Sequence, residues 1–114
     1  ERTRVIWLAN PNNPTGTWLQ REPLLDFLQQ VPERAIVVVD EAYHEYVREP
    51  GYPDTTRWLA DVPNPIVTRT FSKIHGLAAL RVGYAIFAIG TLGFLGIGLP
   101  PPELPMYVGA LIIQ

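Results

Sequence analysis

Short apolar runs alternate with polar clusters along most of the sequence. The run at 5–9 ends in a turn rich in asparagine and proline, the run at 35–39 ends in Asp40, and residues 66–67 lead into the polar segment 68–73. Apolar runs that are closed by turn-forming or polar residues are typical of buried strands. The pattern therefore predicts three strands, each followed by a polar cluster.

A helical pattern lies between the first two predicted strands. Pro23 suits the first turn of a helix and Pro32 suits its end, because proline cannot continue a helix. The apolar positions that recur at helical spacing are Leu24, Leu25, Phe27, Leu28 and Val31. This spacing predicts an amphipathic helix of about ten residues. Continuous apolar strands separated by helical segments indicate an α/β fold of three layers, α/β/α, with a mainly parallel sheet.

The polar clusters follow the carboxyl ends of the predicted strands. In open parallel sheets, ligands bind beyond these ends, which all lie at one edge of the sheet. Asn13, Asp40 and Lys73 each belong to such a cluster. We therefore expect these residues to converge although they are far apart in the sequence.

The composition of the chain indicates which kinds of partner and chemistry it can have. The chain has 114 residues, 47% of them hydrophobic and 18% charged, which suits one globular unit. Its net charge is −2 and its nine basic residues form no stripe, so nucleic acid is a poor candidate and small molecules are better ones. The absence of cysteine excludes a disulfide framework and thiolate chemistry and fits a reducing compartment, the cytoplasm. The two histidines make no metal-binding pattern.

Lys73 is the best candidate for covalent chemistry. It lies in the run TFSKIHGLAALRVGY, behind two hydroxyl residues and eight positions before Arg81. An amine that forms a Schiff base works next to apolar surface, and a solubilising lysine needs no such turn before it. Two hydroxyl groups and a guanidinium around one turn can also bind a phosphate through charge-assisted hydrogen bonds.

Three motifs together carry a family resemblance. ANPNNPTG, VVVDEAY and TRTFSKIHGLAALRVGY resemble the pyridoxal-phosphate-dependent aminotransferases of fold type I, in the order of that family and over about residues 4–86. Within this family, the residues of the motifs are most similar to those of the histidinol-phosphate aminotransferases. The resemblance implies that residues 1–86 are part of the large, cofactor-binding domain and that residues 87–114 are a divergent apolar tail rich in glycine and proline.

The resemblance also implies a role for each site residue. Lys73 would bond to the aldehyde of pyridoxal 5′-phosphate and later move the proton at the substrate α-carbon. Asp40 would pair with the pyridinium nitrogen and keep it protonated. Asn13 and Tyr43 would hydrogen-bond the phenolic oxygen of the cofactor. The residues at phosphate-side positions are Thr70, Ser72 and Arg81.

The implied reaction is a two-stage transamination in histidine biosynthesis. Glutamate would load the cofactor with an amino group and leave as 2-oxoglutarate, and imidazole acetol phosphate would accept the amine. Members of the family act as homodimers. The upstream phosphate-binding turn, the ring-stacking aromatic residue and the small-domain arginine of the family are expected to lie outside these 114 residues.

Several residues also have plainer interpretations. Asn13 could be a turn former and Tyr43 a packing aromatic residue, but their places in the motifs favour cofactor contacts. Glu41 is interpreted as an ordinary polar residue at a strand end or as the start of a helix cap. His44 and His75 have no acid at a suggestive spacing and are interpreted as structural or exposed.

The end of the chain departs from the family pattern. Residues 82–102 contain no charge, which raises a membrane span, but 82–86 belong to a predicted strand and the rest is short and rich in glycine. A membrane segment is therefore not expected, and truncation, rearrangement or a shifted reading frame is the hypothesis for the tail. The alternative functions are an inactive cofactor-binding fragment or interaction module, a related aminotransferase, or a phosphothreonine decarboxylase.

Overall fold

The computed structural model describes residues 2–88, residue 91 and the backbone of residues 106–112. The helix and strands are β1 (Val5–Ala9), α1 (Arg21–Gln30), β2 (Ile36–Asp40), β3 (Pro65–Thr70), β4 (Val82–Ala88) and β5 (Met106–Ile112). Short 3₁₀ turns at His44–Tyr46, Thr55–Trp58 and Ala78–Leu80 lie in the connections.

The strands form one mixed sheet in the order β1-β2-β3-β4-β5. β1, β2 and β3 run parallel, with Ala9 opposite Asp40 and Asp40 opposite Thr68. β4 pairs antiparallel with β3, and β5 pairs antiparallel with β4. The predicted α/β fold with a parallel sheet is confirmed for the part of the sheet that carries the three polar clusters.

The core lies between α1 and one face of the sheet. Leu24 and Leu28 of the helix are buried against Val37 and Val39 of β2, together with Val62 from the connection to β3. Side chains alternate between faces along a strand and recur every third or fourth residue on a helix, so these positions meet in one layer. On the opposite face, Trp7 remains 64% exposed, so the described residues cover only one side of β1.

The predicted elements are present, with shifted ends. β1 has the predicted bounds, whereas β2 extends through Asp40. β3 continues through Thr70, because its polar end pairs with β4, which the apolar pattern could not reveal. β4 continues to Ala88, past the predicted domain boundary at residue 86, so the boundary stays a prediction.

The tail contributes a strand that the sequence did not predict. β5 pairs with β4 along seven residues, from Val82 opposite Ile112 to Ala88 opposite Met106. Thr91 is buried and its hydroxyl donates a hydrogen bond to the carbonyl of Pro63. The rest of 89–105, where most of the predicted tail falls, lies outside the described residues. No helix in the described part of the chain has the length and apolar character to cross a membrane.

Candidate functional site

The carboxyl ends of β1, β2 and β3 meet at one edge of the sheet. The parallel hydrogen bonding continues one residue beyond the strands, since the Asn10 N–H donates to the Asp40 carbonyl and the Glu41 N–H donates to the Thr68 carbonyl, each at 2.9 Å. The loops after the three strands are therefore held together at their starting points. This arrangement brings the predicted polar clusters to a common edge.

The turn after β1 is fixed by its own hydrogen bonds. The Asn12 N–H donates to the Thr17 carbonyl, and the Gly16 N–H donates to the Asn12 carbonyl, both at 2.8 Å. Gly16 has a φ of 69°, a conformation that glycine adopts without steric cost. Asn10 anchors the turn, because its Oδ1 accepts the Leu19 N–H at 2.8 Å. The turn therefore presents Asn13 on a rigid loop.

Asn13, Tyr43 and Lys73 form one contiguous group. The Asn13 amide Nδ2 donates to the Tyr43 hydroxyl at 3.1 Å, across 30 positions of sequence. The Lys73 ammonium Nζ lies 5.1 Å from the centroid of the Tyr43 ring, within the range of a cation–π contact. The side chain of Lys73 is exposed, so its amine is accessible from solvent. Asn13 and Tyr43 also line a cavity of about 320 Å³.

A second cavity, of about 210 Å³, gathers the other predicted residues. Its lining includes the half-buried carboxylate residue Asp40 and the exposed Arg81, together with Thr70 and Ser72. Lys73 lines neither cavity, but it follows Ser72 directly and contacts Tyr43, so it connects the two groups. The structure thus places all seven predicted site residues at one edge of the sheet, with six of them divided between two cavities and Lys73 between the two groups.

Local contacts orient the residues of this second cavity. Asp40 Oδ1 accepts the Ala42 N–H at 3.2 Å, which fixes the carboxylate over its own loop. Thr70 Oγ1 accepts the Ser72 N–H at 3.1 Å, so the two hydroxyl residues share one turn. Arg81 ends the 3₁₀ turn Ala78–Leu80 in the left-handed region, with a φ of 52°, which is uncommon for a residue other than glycine. Such backbone outliers cluster at functional sites.

Gly83 allows β4 to approach this site closely. A Cβ atom at position 83 would lie 2.8 Å from the backbone carbonyl oxygen of Arg69, closer than real Cβ atoms come. Because the obstructing atom is backbone, Gly83→Ala must displace β4 from β3. We expect this variant to lower the free energy of unfolding by about 1–3 kcal/mol.

Urea unfolding followed by circular dichroism would measure this effect. Gly51→Ala is the matched control, since its added Cβ would meet only the Trp18 side chain, at an ordinary 3.4 Å. Equal stability of the two variants would show that β4 does not need the close approach at Gly83.

The sequence interpretation of Glu41 as an ordinary polar residue was wrong. Its side chain is fully buried, and its Oε2 accepts hydrogen bonds from Arg69 Nε at 2.9 Å and Nη2 at 2.8 Å. Arg69 Nη2 also lies 3.4 Å from Asp54 Oδ1. The available signal was an acid and a base of opposite charge at the ends of adjacent predicted strands, but only the register shows that they meet.

The pKa values of this cluster reflect burial and mutual attraction. Burial by itself would lower the pKa of Arg69, but the charge and hydrogen bonds of Glu41, together with the contact with Tyr84, outweigh it and raise the pKa. Burial likewise opposes the shift at Asp54, where hydrogen bonds from Thr56 and the charge of Arg69 lower the pKa. Both groups therefore stay ionised at neutral pH. Burial raises the pKa of Tyr52, and the neighbouring Glu41 adds to that effect.

Both histidines lie near an acid that the spacing did not suggest. His44 Nδ1 is 3.4 Å from Glu41 Oε2, because the chain turns tightly after β2. His75 Nε2 is 3.9 Å from Glu45 Oε1, across two different loops. Neither histidine lines either of the two cavities described above.

Comparisons with known proteins identify the family of the chain. Residues 1–88 match the family described as aminotransferase class I and II. The chain is similar to a histidinol-phosphate aminotransferase of Caldicellulosiruptor saccharolyticus, with 58% identity over 86 residues, covering 75% of this chain and 24% of the relative. The chain thus spans about a quarter of the length of such relatives.

Two solved structures extend the likeness to the fold. One is histidinol-phosphate aminotransferase from Sinorhizobium meliloti in complex with pyridoxal-5′-phosphate, with a TM-score of 0.70 and 41% identity over 82% of this chain and 26% of that one. The other is L-threonine-O-3-phosphate decarboxylase from Porphyromonas gingivalis, with a TM-score of 0.69 and 28% identity over 82% of this chain and 28% of that one.

Proposed function

Since this chain belongs to the class I and II aminotransferases, we propose that it carries part of the cofactor-binding domain of a pyridoxal-phosphate-dependent transaminase. The proposed reaction transfers an amino group between histidinol phosphate and 2-oxoglutarate. The observation that carries the proposal is the gathering of Asn13, Asp40, Tyr43, Thr70, Ser72, Lys73 and Arg81 at one sheet edge. The similarity to histidinol-phosphate aminotransferases supports the choice of substrate.

The chemistry of these side chains fits pyridoxal 5′-phosphate. Asp40 offers a carboxylate for a pyridinium nitrogen, and Arg81 offers a permanent positive charge for a phosphate in the same cavity. Lys73 offers a primary amine for an aldehyde. The hydrogen bond between Asn13 and Tyr43 places an amide and a phenol side by side, where both could hold an ionised oxygen.

Each residue would then have a separate task. When bound, the cofactor supplies an aldehyde that captures amines and a ring that accepts the electrons of the substrate α-carbon. Asp40 would hold a proton on the ring nitrogen by electrostatic attraction. Thr70, Ser72 and Arg81 would orient the phosphate end, and the amine of Lys73 would carry the proton to and from the α-carbon.

The proposal extends to partners and location. Glutamate as donor, imidazole acetol phosphate as acceptor, a homodimeric assembly and the cytoplasm are proposed from the family resemblance and from the absence of cysteine. The chain spans about a quarter of its relatives, so the residues that select the substrate side chain and bind its carboxylate are proposed to lie in other segments.

The test combines the purified chain with pyridoxal 5′-phosphate and then with glutamate. We expect a visible absorption band that requires Lys73. Loss of this band and release of 2-oxoglutarate on addition of glutamate are expected when a second chain supplies the segments that bind the substrate carboxylate. The amine would then pass to imidazole acetol phosphate, or back to 2-oxoglutarate, but not to unrelated 2-oxo acids such as pyruvate. A Lys73-dependent band without release of 2-oxoglutarate would favour the alternative of an inactive cofactor-binding fragment.

A second candidate is decarboxylation of phosphothreonine. The likeness to L-threonine-O-3-phosphate decarboxylase favours it, since that protein matches the fold almost as well as the aminotransferase does. The same preparation incubated with phosphothreonine distinguishes the two reactions. Release of carbon dioxide from phosphothreonine, without formation of a 2-oxo acid from glutamate, would show that the proposed function is decarboxylation and not transamination.

A further inference from the structure

We propose that the ion pair between Glu41 and Arg69 is a positioning device for the cofactor site. The inference rests on the proposed function, because it concerns how Asp40 and the turn at 70–73 are held relative to each other. Neither member of the pair has a cofactor role in the family resemblance described above. The pair would act through its neighbours and would not touch the cofactor.

The pair joins two strand ends that carry different parts of the proposed site. The end of β2 carries Asp40 on the side of the cofactor ring, and the end of β3 leads into Thr70 and Ser72 on the side of the phosphate. Glu41 directly follows Asp40 at the end of β2, and Arg69 directly precedes Thr70 at the end of β3. The Glu41 N–H also donates to the carbonyl of Thr68, so a backbone bond and a side-chain ion pair connect the same two segments. Any change in their spacing would therefore alter the distance between Asp40 and the Thr70–Ser72 turn.

The geometry is that of a rigid connection. Arg69 donates two hydrogen bonds from Nε and Nη2 to a single oxygen of Glu41, whose side chain is fully buried. Arg69 itself is only 14% exposed at its side chain. Ion pairs that are shielded from water are screened less than surface pairs, and breaking one leaves an uncompensated buried charge. The two side chains are therefore confined to one arrangement.

Further contacts tie the surrounding loops to the pair. Arg69 Nη2 reaches Asp54 Oδ1 at 3.4 Å, and that oxygen also accepts the hydroxyl of Thr56 at 2.6 Å. Glu41 Oε2 lies 3.4 Å from Nδ1 of His44, the residue that follows Tyr43. The pair thus lies between the loop that carries Asp40 and Tyr43 and the strand that leads to Thr70 and Lys73.

A positioning role predicts a particular pattern of ligand affinities. Pyridoxal 5′-phosphate spans both halves of the site, whereas pyridoxal lacks the phosphate and engages only the ring side. If the pair sets the spacing, Glu41→Gln and Arg69→Met should weaken binding of pyridoxal 5′-phosphate by about 10- to 100-fold, as expected for a misplacement of about 1 Å. Binding of pyridoxal should change much less, so the ratio of the two affinities should fall towards one.

The experiment titrates each 114-residue variant with both ligands and follows the absorbance of the ligand and the unfolding transition of the chain. Arg57→Met is the matched control, because Arg57 forms an exposed ion pair with Asp54 and its side chain is 74% exposed. The double variant Glu41→Leu/Arg69→Met removes both buried charges at once and leaves neither unpaired. It therefore provides a folded protein for the test if the single variants do not fold. It should fold and still show the reduced affinity ratio.

The outcomes separate this inference from the proposed function. A wild-type chain that shows no Lys73-dependent binding would overturn both. Wild-type binding with an unchanged affinity ratio in folded Glu41 and Arg69 variants would overturn the positioning role alone. An equal loss of affinity for both ligands, in proportion to the unfolded fraction, would likewise show that the pair only stabilises the fold.

Discussion

Replacing Lys73 with alanine is expected to abolish the covalent adduct that borohydride reduction traps between this chain and pyridoxal 5′-phosphate. Lys73 is the only lysine of the sequence, so no other side-chain amine can take its place. Lys73 is an exposed residue, and its Nζ lies over the Tyr43 ring, beside the residues proposed to receive the cofactor. The rate of any catalysed proton transfer should fall by about 10²–10⁴-fold, the usual contribution of a positioned acid–base group.

Mass spectrometry of the reduced chain would measure the adduct and locate it. Lys73→Arg is the matched variant, since it keeps the positive charge over Tyr43 but provides no amine of suitable reactivity. We expect this variant to retain some noncovalent binding and to give no adduct. An adduct of equal yield in Lys73→Ala would place the covalent chemistry at the terminal amine and would remove Lys73 from the proposed mechanism.

Replacing Asp40 with asparagine should separate cofactor binding from cofactor chemistry. Asparagine keeps the Oδ1 atom that accepts the Ala42 N–H, so the loop should retain its conformation. It loses the negative charge that would hold a proton on the ring nitrogen. We therefore expect adduct formation at Lys73 to continue, while exchange of the α-proton of glutamate falls by about 10²–10³-fold, as when one preorganised electrostatic contact is removed.

Deuterium exchange at the α-carbon of glutamate, followed by NMR, would test this expectation. Asp26→Asn provides the control, because it makes the same chemical change at an exposed position of α1. Both variants should have the stability of the parent chain. Unchanged exchange in a folded Asp40→Asn variant that still traps the cofactor would rule out the proposed pairing with the ring nitrogen.

Much of the local structure follows from the order of residues. The run VIWLA is a strand with the predicted bounds, and the apolar spacing of residues 24–31 predicts α1 to within a few residues. Such elements depend on periodicity and on nearby turn formers, which the sequence displays directly. The convergence of Asn13, Asp40 and Lys73 also follows, because parallel strands place all their carboxyl ends at one edge.

Long-range pairing accounts for what the sequence left undetermined. The polar end of β3 is strand because β4 pairs with it, and the tail contributes β5 because β4 offers a free edge to it. The division of the site into two cavities depends in the same way on which side chains face each other across loops. Neither result has a signature within a short window of residues.

Asp40 and Glu41 show most clearly which properties the sequence determines and which depend on the tertiary structure. The sequence by itself determined the strand, the polar strand end and the family motif in which both acids stand. Only the tertiary structure decided that Asp40 lines a cavity while Glu41 is buried against Arg69, 28 positions away. The physical reason is that adjacent residues leave a strand in opposite directions, and the environment that each one meets is supplied by distant parts of the chain.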